Sequence, residues 1–177
     1  MDEHIIVVGY PALSGALRLL VEEHEALADY FSASFLKQAK AEIEGAVLPA
    51  QAQQWLSHCP LDIQLFPCGD RGILGCFWDI KKQNRIGLSF SVRLLPMIQA
   101  VVELTEHFHI NPYQFESQHC FVVLTQAVHE FIEQTKDWPV PVTVIGSIND
   151  SKQIADVGFE KPRFITKNPR KWEGHVL

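Results

Sequence analysis

Phe66 to Val92, FPCGDRGILGCFWDIKKQNRIGLSFSV, is the stretch whose reading decides the fold. It reads as the end of a strand, a glycine-rich loop, an amphipathic helix and a further strand. Gly69, Gly72 and Gly75 permit tight backbone turns. The helix expected from about Ile73 to Gln83 buries Leu74, Phe77, Trp78 and Ile80, and Gly87 to Val92 gives the strand after it. Such a helix would aim its first free N–H groups and positive dipole end at whatever covers the loop. Two readings therefore stand side by side: an anion cradle, or an ordinary strand-to-helix turn punctuated by glycine.

Upstream, Ile5 to Val8 is an apolar, β-branched run that suits a buried strand. Ser14 is the expected cap of a helix carrying Leu17, Leu20, Val21, Leu27 and Phe31 at roughly helical spacing, with Glu22, Glu23 and Glu25 on its wet side. A second helix is expected from Ser32 through Phe35, Leu36, Ala39 and Ile43, stopped by Gly45. Pro49 to Leu56 reads as a third, short helix with proline in its first turn, and Asp62 to Phe66 as a strand leading into the loop.

Downstream, Pro96 is placed in the first turn of a helix whose packed stripe is Ile98, Val101, Val102, Leu104, Thr105 and Phe108. Asn111-Pro112 breaks the chain. Cys120 to Leu124 reads as a strand, Ala127 to Thr135 as a helix with Val128, Phe131 and Ile132 inward, and Val142 to Ile148 as a strand. Asn149 to Glu160 reads as the least regular part, before a short last strand at Arg163 to Thr166. Strands alternate with helices without a strict one-to-one order, so the expected class is α+β: a layered α/β arrangement with a mixed sheet covered by helices.

Composition sets the outer limits. With 177 residues, 47% of them hydrophobic and 20% charged, the chain suits one substantial core. A net charge of −6 repels phosphate backbones and anionic membranes, so nucleic acid and membrane surfaces are not expected partners. The basic cluster of Lys161, Arg163, Lys167, Arg170 and Lys171 is diluted by Glu160 and Glu173 and reads as a solvated tail. The start, Asp2 and Glu3 before HIIVV, lacks the pattern of a signal peptide and no apolar run approaches a membrane span, so the expected location is cytoplasmic, with four reduced cysteines.

Those cysteines, Cys59, Cys68, Cys76 and Cys120, form no CxxC pair. Zinc could draw on His58, Cys59, His107, His109, His119 and Cys120 only if folding gathered them, and scattered cysteines are more often buried packing. His119-Cys120 and His58-Cys59 suggest a nucleophile and its base, but neighbours on a strand point to opposite faces. We expect no metal site and no catalytic residue.

Four landmarks taken together resemble the C-terminal domain of the aminoimidazole ribonucleotide synthetase (AIR synthase)-related superfamily. They are IIVVGYPALSGALRLL, GILGCFWDIKKQNRIGLSF, HINPYQF with the strand HCFVVLT, and the closing VPVTVIGSI, in the family's order from Ile5 to Ile148. The superfamily includes the hydrogenase maturation factor, selenophosphate synthetase, thiamine-phosphate kinase and formylglycinamidine synthase. In its catalytic members an N-terminal domain of comparable size binds most of the ATP and magnesium. The resemblance implies that this chain begins near the domain junction and lacks that half.

The family's loop carries His-Asp, then a threonine and a Gly-Gly pair. Matched backwards from Gly72, this chain places Arg71 at the first glycine, Gly69 at the threonine, Pro67 at the aspartate and Phe66 at the histidine. Asp70 lies three residues beyond the acidic position. Where the family is often Ser-Gly-rich, this chain reads Ser117, Gln118, His119, Cys120. It ends GHVL, without the C-terminal cysteine that the hydrogenase factor uses as carbamoyl acceptor, and the selenophosphate enzymes' nucleophile belongs to the missing half.

The resemblance thus implies a stand-alone, non-catalytic domain over residues 1–150, with 151–177 an extension packing on it or trailing from it. Gly69, Asp70, Arg71 and Gly72 are the candidate ligand residues, for a phosphate or carboxylate that Arg71 would grip, and no cofactor is expected. The alternative is the C-terminal half of a split enzyme completed by a separate ATP-binding subunit. A domain parted from its usual neighbour exposes apolar surface, so a homo-oligomer or that separate subunit is the expected partner.

Overall fold

The computed structural model describes residues 3–174. Met1, Asp2 and the closing residues 175–177, the last three of the GHVL ending, lie outside the described residues. The apolar runs become the centre of a sheet: β1 (His4–Val8) lies between β4 (Phe121–Thr125) and β5 (Val142–Asn149). Outward from these sit β2 (Ile63–Pro67) on one side and β3 (Gly87–Phe90), β6 (Ile154–Asp156) and β7 (Arg163–Phe164) on the other. The seven strands run in the order β2-β4-β1-β5-β3-β6-β7. Neighbours are antiparallel except β3 and β6, so the sheet is mixed.

Side chains two apart on a strand share a face. Ile5 and Val7 of β1 therefore join Val122, Leu124, Leu88 and Phe90 on one face, under the helix α5 (Gly72–Asn84). Ile6 and Val8 join Val123 on the other, under α4 (Ala50–Ser57) and α7 (Val128–Thr135). A third core lies among helices: α1 (Leu13–Glu22), α2 (His24–Tyr30), α3 (Ala33–Gly45) and α6 (Gln99–His107) enclose Phe115.

Local chemistry explains several helix ends. Ser32, where the second helix is expected to begin, is instead its cap residue: its Oγ accepts the Phe35 amide at 3.1 Å. Pro49 is the cap residue of α4 rather than part of its first turn. Asn111 Oδ1 accepts the Tyr113 amide at 3.0 Å and opens the 3-10 turn Pro112–Gln114.

Other expectations are corrected. Ser14 caps nothing; its hydroxyl accepts the Gln118 amide and donates to the Glu116 carbonyl, binding α1 to a distant segment. The long first helix is two, because the backbone turns at Glu23 so that Leu27 can reach the third core, while Val21 is left 72% exposed. Pro96 lies three residues before α6, whose cap residue is Ile98. Trp78 is only partly buried. Val92 begins a 3-10 turn, Val92–Leu94, instead of closing β3. The segment read as least regular contributes β6, whose Ile154, Ala155 and Asp156 are all buried beside β3.

Candidate functional site

The loop between β2 and α5 is tied back on itself by backbone hydrogen bonds. The Gly72 amide donates to the Gly69 carbonyl at 3.0 Å, and the Ser117 amide donates to that same oxygen at 3.1 Å. Gly72 takes φ +64°, and a Cβ there would come within 2.6 Å of the Tyr113 carbonyl oxygen and 2.7 Å of that of Phe115. The segment 113–118 therefore crosses the start of α5. It is stitched equally to the other side: Ser117 Oγ accepts the Ala12 amide at 2.8 Å and donates to the Phe115 carbonyl at 2.7 Å. This clasp joins the β1–α1 turn to the glycine loop.

Of the four candidate ligand residues, Gly69 and Gly72 supply this backbone and Asp70 and Arg71 supply the charge. Arg71 precedes α5 and lies back along it. Its Nη2 donates to both oxygens of Asp79, each at 2.7 Å, and Nη1 donates to Asn168 Oδ1 at 2.6 Å. Gly75 permits this path, since a Cβ there would collide with the Arg71 side chain. The Asp70 carboxylate pairs with Lys171 at 3.0 Å and accepts from Gln118 Nε2 at 3.4 Å. A cleft of about 310 Å³ opens over the loop, lined by Pro67, Gly69, Asp70, Arg71, Cys76 and Asp79, among others. Its two carboxylates each have a cation, so the rim is close to neutral and the guanidinium is its one preset anion donor.

Beneath the loop three thiols meet. Hydrogen bonding with Cys120 and then Cys76, followed by burial, pushes the Cys68 thiol well above its usual value. The neutral form is thus favoured in the folded state. Its stabilisation is complete below the unfolded value of about 8.5 and is lost as pH rises past it. We expect native labelling by a thiol reagent to modify Cys59 alone, the other three being buried, and stability to fall above about pH 8.5 less steeply in Cys68→Ala than in the native chain. Equal labelling of all four cysteines without denaturant would contradict this packing.

The remaining sequence candidates are not brought together. His119, at φ +64°, has its Nδ1 3.1 Å from Gln53 Nε2, while the adjacent Cys120 is fully buried. His58 Nδ1 lies against the Gln54 carbonyl at 2.9 Å. Among the described residues no group of three or more His, Cys, Asp or Glu side chains could hold a metal ion, and no helix is long and apolar enough to cross a membrane. The basic tail is partly engaged: Arg163 sits 3.6 Å from the Phe159 ring centroid, with Arg93 at 4.6 Å, and Lys171 reaches Asp70.

Asp79, Asn168, Lys171 and Gln118 complete the site and were missed in the sequence. Only Asp79 left a legible sign. Arg71, Gly75 and Asp79 are four residues apart in turn, the spacing of one helical stripe with a bare middle.

No family model and no curated protein matches the chain. Solved structures do match in fold. A crystal structure of E. coli HypE, a hydrogenase maturation protein, has 15% identity and a TM-score of 0.71, covering 93% of this chain and 49% of its own. A HypE-HypF complex gives 15% identity and a TM-score of 0.65, covering 94% of this chain and 53% of that one. A thiamine-monophosphate kinase from Stenotrophomonas maltophilia gives 18% and 0.58, covering 89% and 51%. HypE and the kinase both belong to the AIR synthase-related superfamily, and theirs is the fold of this chain, which spans about half the length of the structures it matches.

Proposed function

We propose that this chain is a non-catalytic binding module of the C-terminal-domain type, working in the cytoplasm, in which Gly69, Asp70, Arg71 and Gly72 present a site for a phosphate- or carboxylate-bearing group. The observation that carries this reading is the Arg71 guanidinium, about 30% exposed on the cleft rim and held in place by Asp79 and Asn168. A fixed fork of donors suits an oxyanion. Phosphoryl transfer needs more, namely placed metal and charge stabilisation of the moving group. The positions matched to the family's aspartate and threonine hold Pro67 and Gly69, which supply neither. Residues 1–150 form the module in this reading, and 151–177 its C-terminal extension, in which Asn168 and Lys171 reach the loop.

Calorimetric titration with inorganic phosphate and with acetate tests the site. Binding should be measurable in the native chain and lost in Arg71→Ala. No heat with either anion, or an unchanged Arg71→Ala variant, would remove the loop as a ligand site.

The half-length match favours one second reading, a split enzyme whose ATP-binding half is a separate subunit. Under it, an ATP-binding protein co-purifies from native cells and ATP hydrolysis occurs only in the mixture. Association with a second copy is the remaining partner reading, and light scattering at micromolar concentration decides it: a monomer excludes the homo-oligomer.

A further inference from the structure

We propose that the outer face of α5 holds a second site, for a compact polyanion such as an oligophosphate, in the groove around Trp78. This groove has a volume of about 770 Å³ and is lined by Arg71, Trp78, Asp79, Lys81, Lys82 and Arg85, with Asn168 at its rim. Four cationic side chains face one carboxylate there, in a chain whose net charge is −6. Trp78, Lys81, Lys82 and Arg85 follow the three-and-four spacing of one helix face.

The helix end alone does not account for this gathering. Cations in the last turn of α5 do complement its negative pole. Arg71, however, comes from the opposite end of the helix and is led back to the groove by the bare Gly75 and by Asp79. Asp79 is already taken by Arg71, and Lys82 and Arg85 have no ion-pair partner among the described residues. Arg85 also holds a left-handed φ of +57°, where glycine would be less strained, so the position keeps its side chain at a conformational cost.

Trp78 adds an independent sign. Its indole N–H is closed off from solvent and has no acceptor, and Lys81 Nζ lies 4.7 Å over its ring. An unpaired buried donor is rare and calls for an acceptor. A polyanion in the groove would take Lys81, Lys82 and Arg85 together beside the Trp78 ring. The size also suits a small ligand rather than a duplex, and the acidic remainder of the molecule repels a long phosphate backbone.

The groove shares Arg71 and Asp79 with the loop cleft, but Lys82 and Arg85 line the groove and not the cleft, so changing those two separates the sites. The test follows the Trp78 indole N–H by NMR, assigned with Trp78→Phe, during titration with inorganic tripolyphosphate, with citrate and with a short single-stranded oligonucleotide. We expect a saturable shift with tripolyphosphate, affinity weakened about tenfold or more in Lys82→Ala/Arg85→Ala, and an unchanged phosphate response of the loop in that double variant. Saturation by citrate as well would widen the ligand to polycarboxylates within the same class. No saturable indole shift, the same affinity in the double variant, or tighter binding of the oligonucleotide would each overturn the proposal. Lys82 and Arg85 are both exposed, so the double variant should fold.

Discussion

Phe115→Ala should lower stability by about 3–5 kcal/mol, the range for a fully buried aromatic cut back to a methyl group. Phe115 is completely buried and closes the helical core. Its ring fills the space beside Gly15, where any Cβ would strike it, and meets Trp172 edge-on with centroids 5.4 Å apart and Arg18 at 5.8 Å. Loss of the ring opens a void between α1 and the C-terminal segment that rigid neighbours cannot refill. Urea unfolding should show a lower midpoint with an unchanged slope. A loss below about 1 kcal/mol would mean that the site collapses freely and that Phe115 is no keystone.

Gly72→Ala should be nearly as damaging, at about 3 kcal/mol, while Gly69→Ala should stay within about 0.5 kcal/mol of native. Both glycines sit in the same loop, but their surroundings differ. Gly72 combines φ +64° with two carbonyl oxygens under 3 Å from a Cβ, and neither oxygen can move without breaking the 113–118 clasp. At Gly69 a Cβ would meet nothing within 4 Å, and its φ is outside the left-handed region. Chemical denaturation of the two variants side by side distinguishes conformational need from mere loop composition. Equal effects would show that the crossing segment yields.

This pair of glycines also shows where sequence reading stopped. Gly69, Gly72 and Gly75 look alike in the chain, yet one is open, one is crossed by another segment and one clears a path for Arg71. Those differences come from residues far away: Tyr113 to Ser117 over Gly72, and Asn168, 97 residues from Arg71. The central strands were legible because burial on both faces leaves continuous apolar runs, as in β1 and β4. The start of α3 was legible to within one residue because it is settled locally, by Ser32 and the Phe35 amide.

The turn at Glu23 was not legible, since its polar neighbours continue the helical pattern and only the packing of Leu27 in the third core bends the chain. The short last strand expected at Arg163 to Thr166 is present as β7 and pairs with β6, whereas β6 itself was hidden by its brevity, since three residues carry too little pattern and its pairing with β3 is long-range. For the same reason the sequence led to the loop and its arginine but not to the carboxylate and amide that hold it.

The central claim is that Arg71, held by Asp79, is the anion handle of the loop. Calorimetric titration with inorganic phosphate, made in the Lys82→Ala/Arg85→Ala background so that the groove is silent, tests it through Asp79→Asn. The amide introduced by Asp79→Asn keeps an acceptor that positions Arg71 while removing the competing charge, so phosphate binding should tighten about fivefold, the scale of a half-exposed ion pair of about 1 kcal/mol, and adding Arg71→Ala should abolish it. Phosphate affinity that is unchanged or weaker in Asp79→Asn, or that survives Arg71→Ala, would contradict the account.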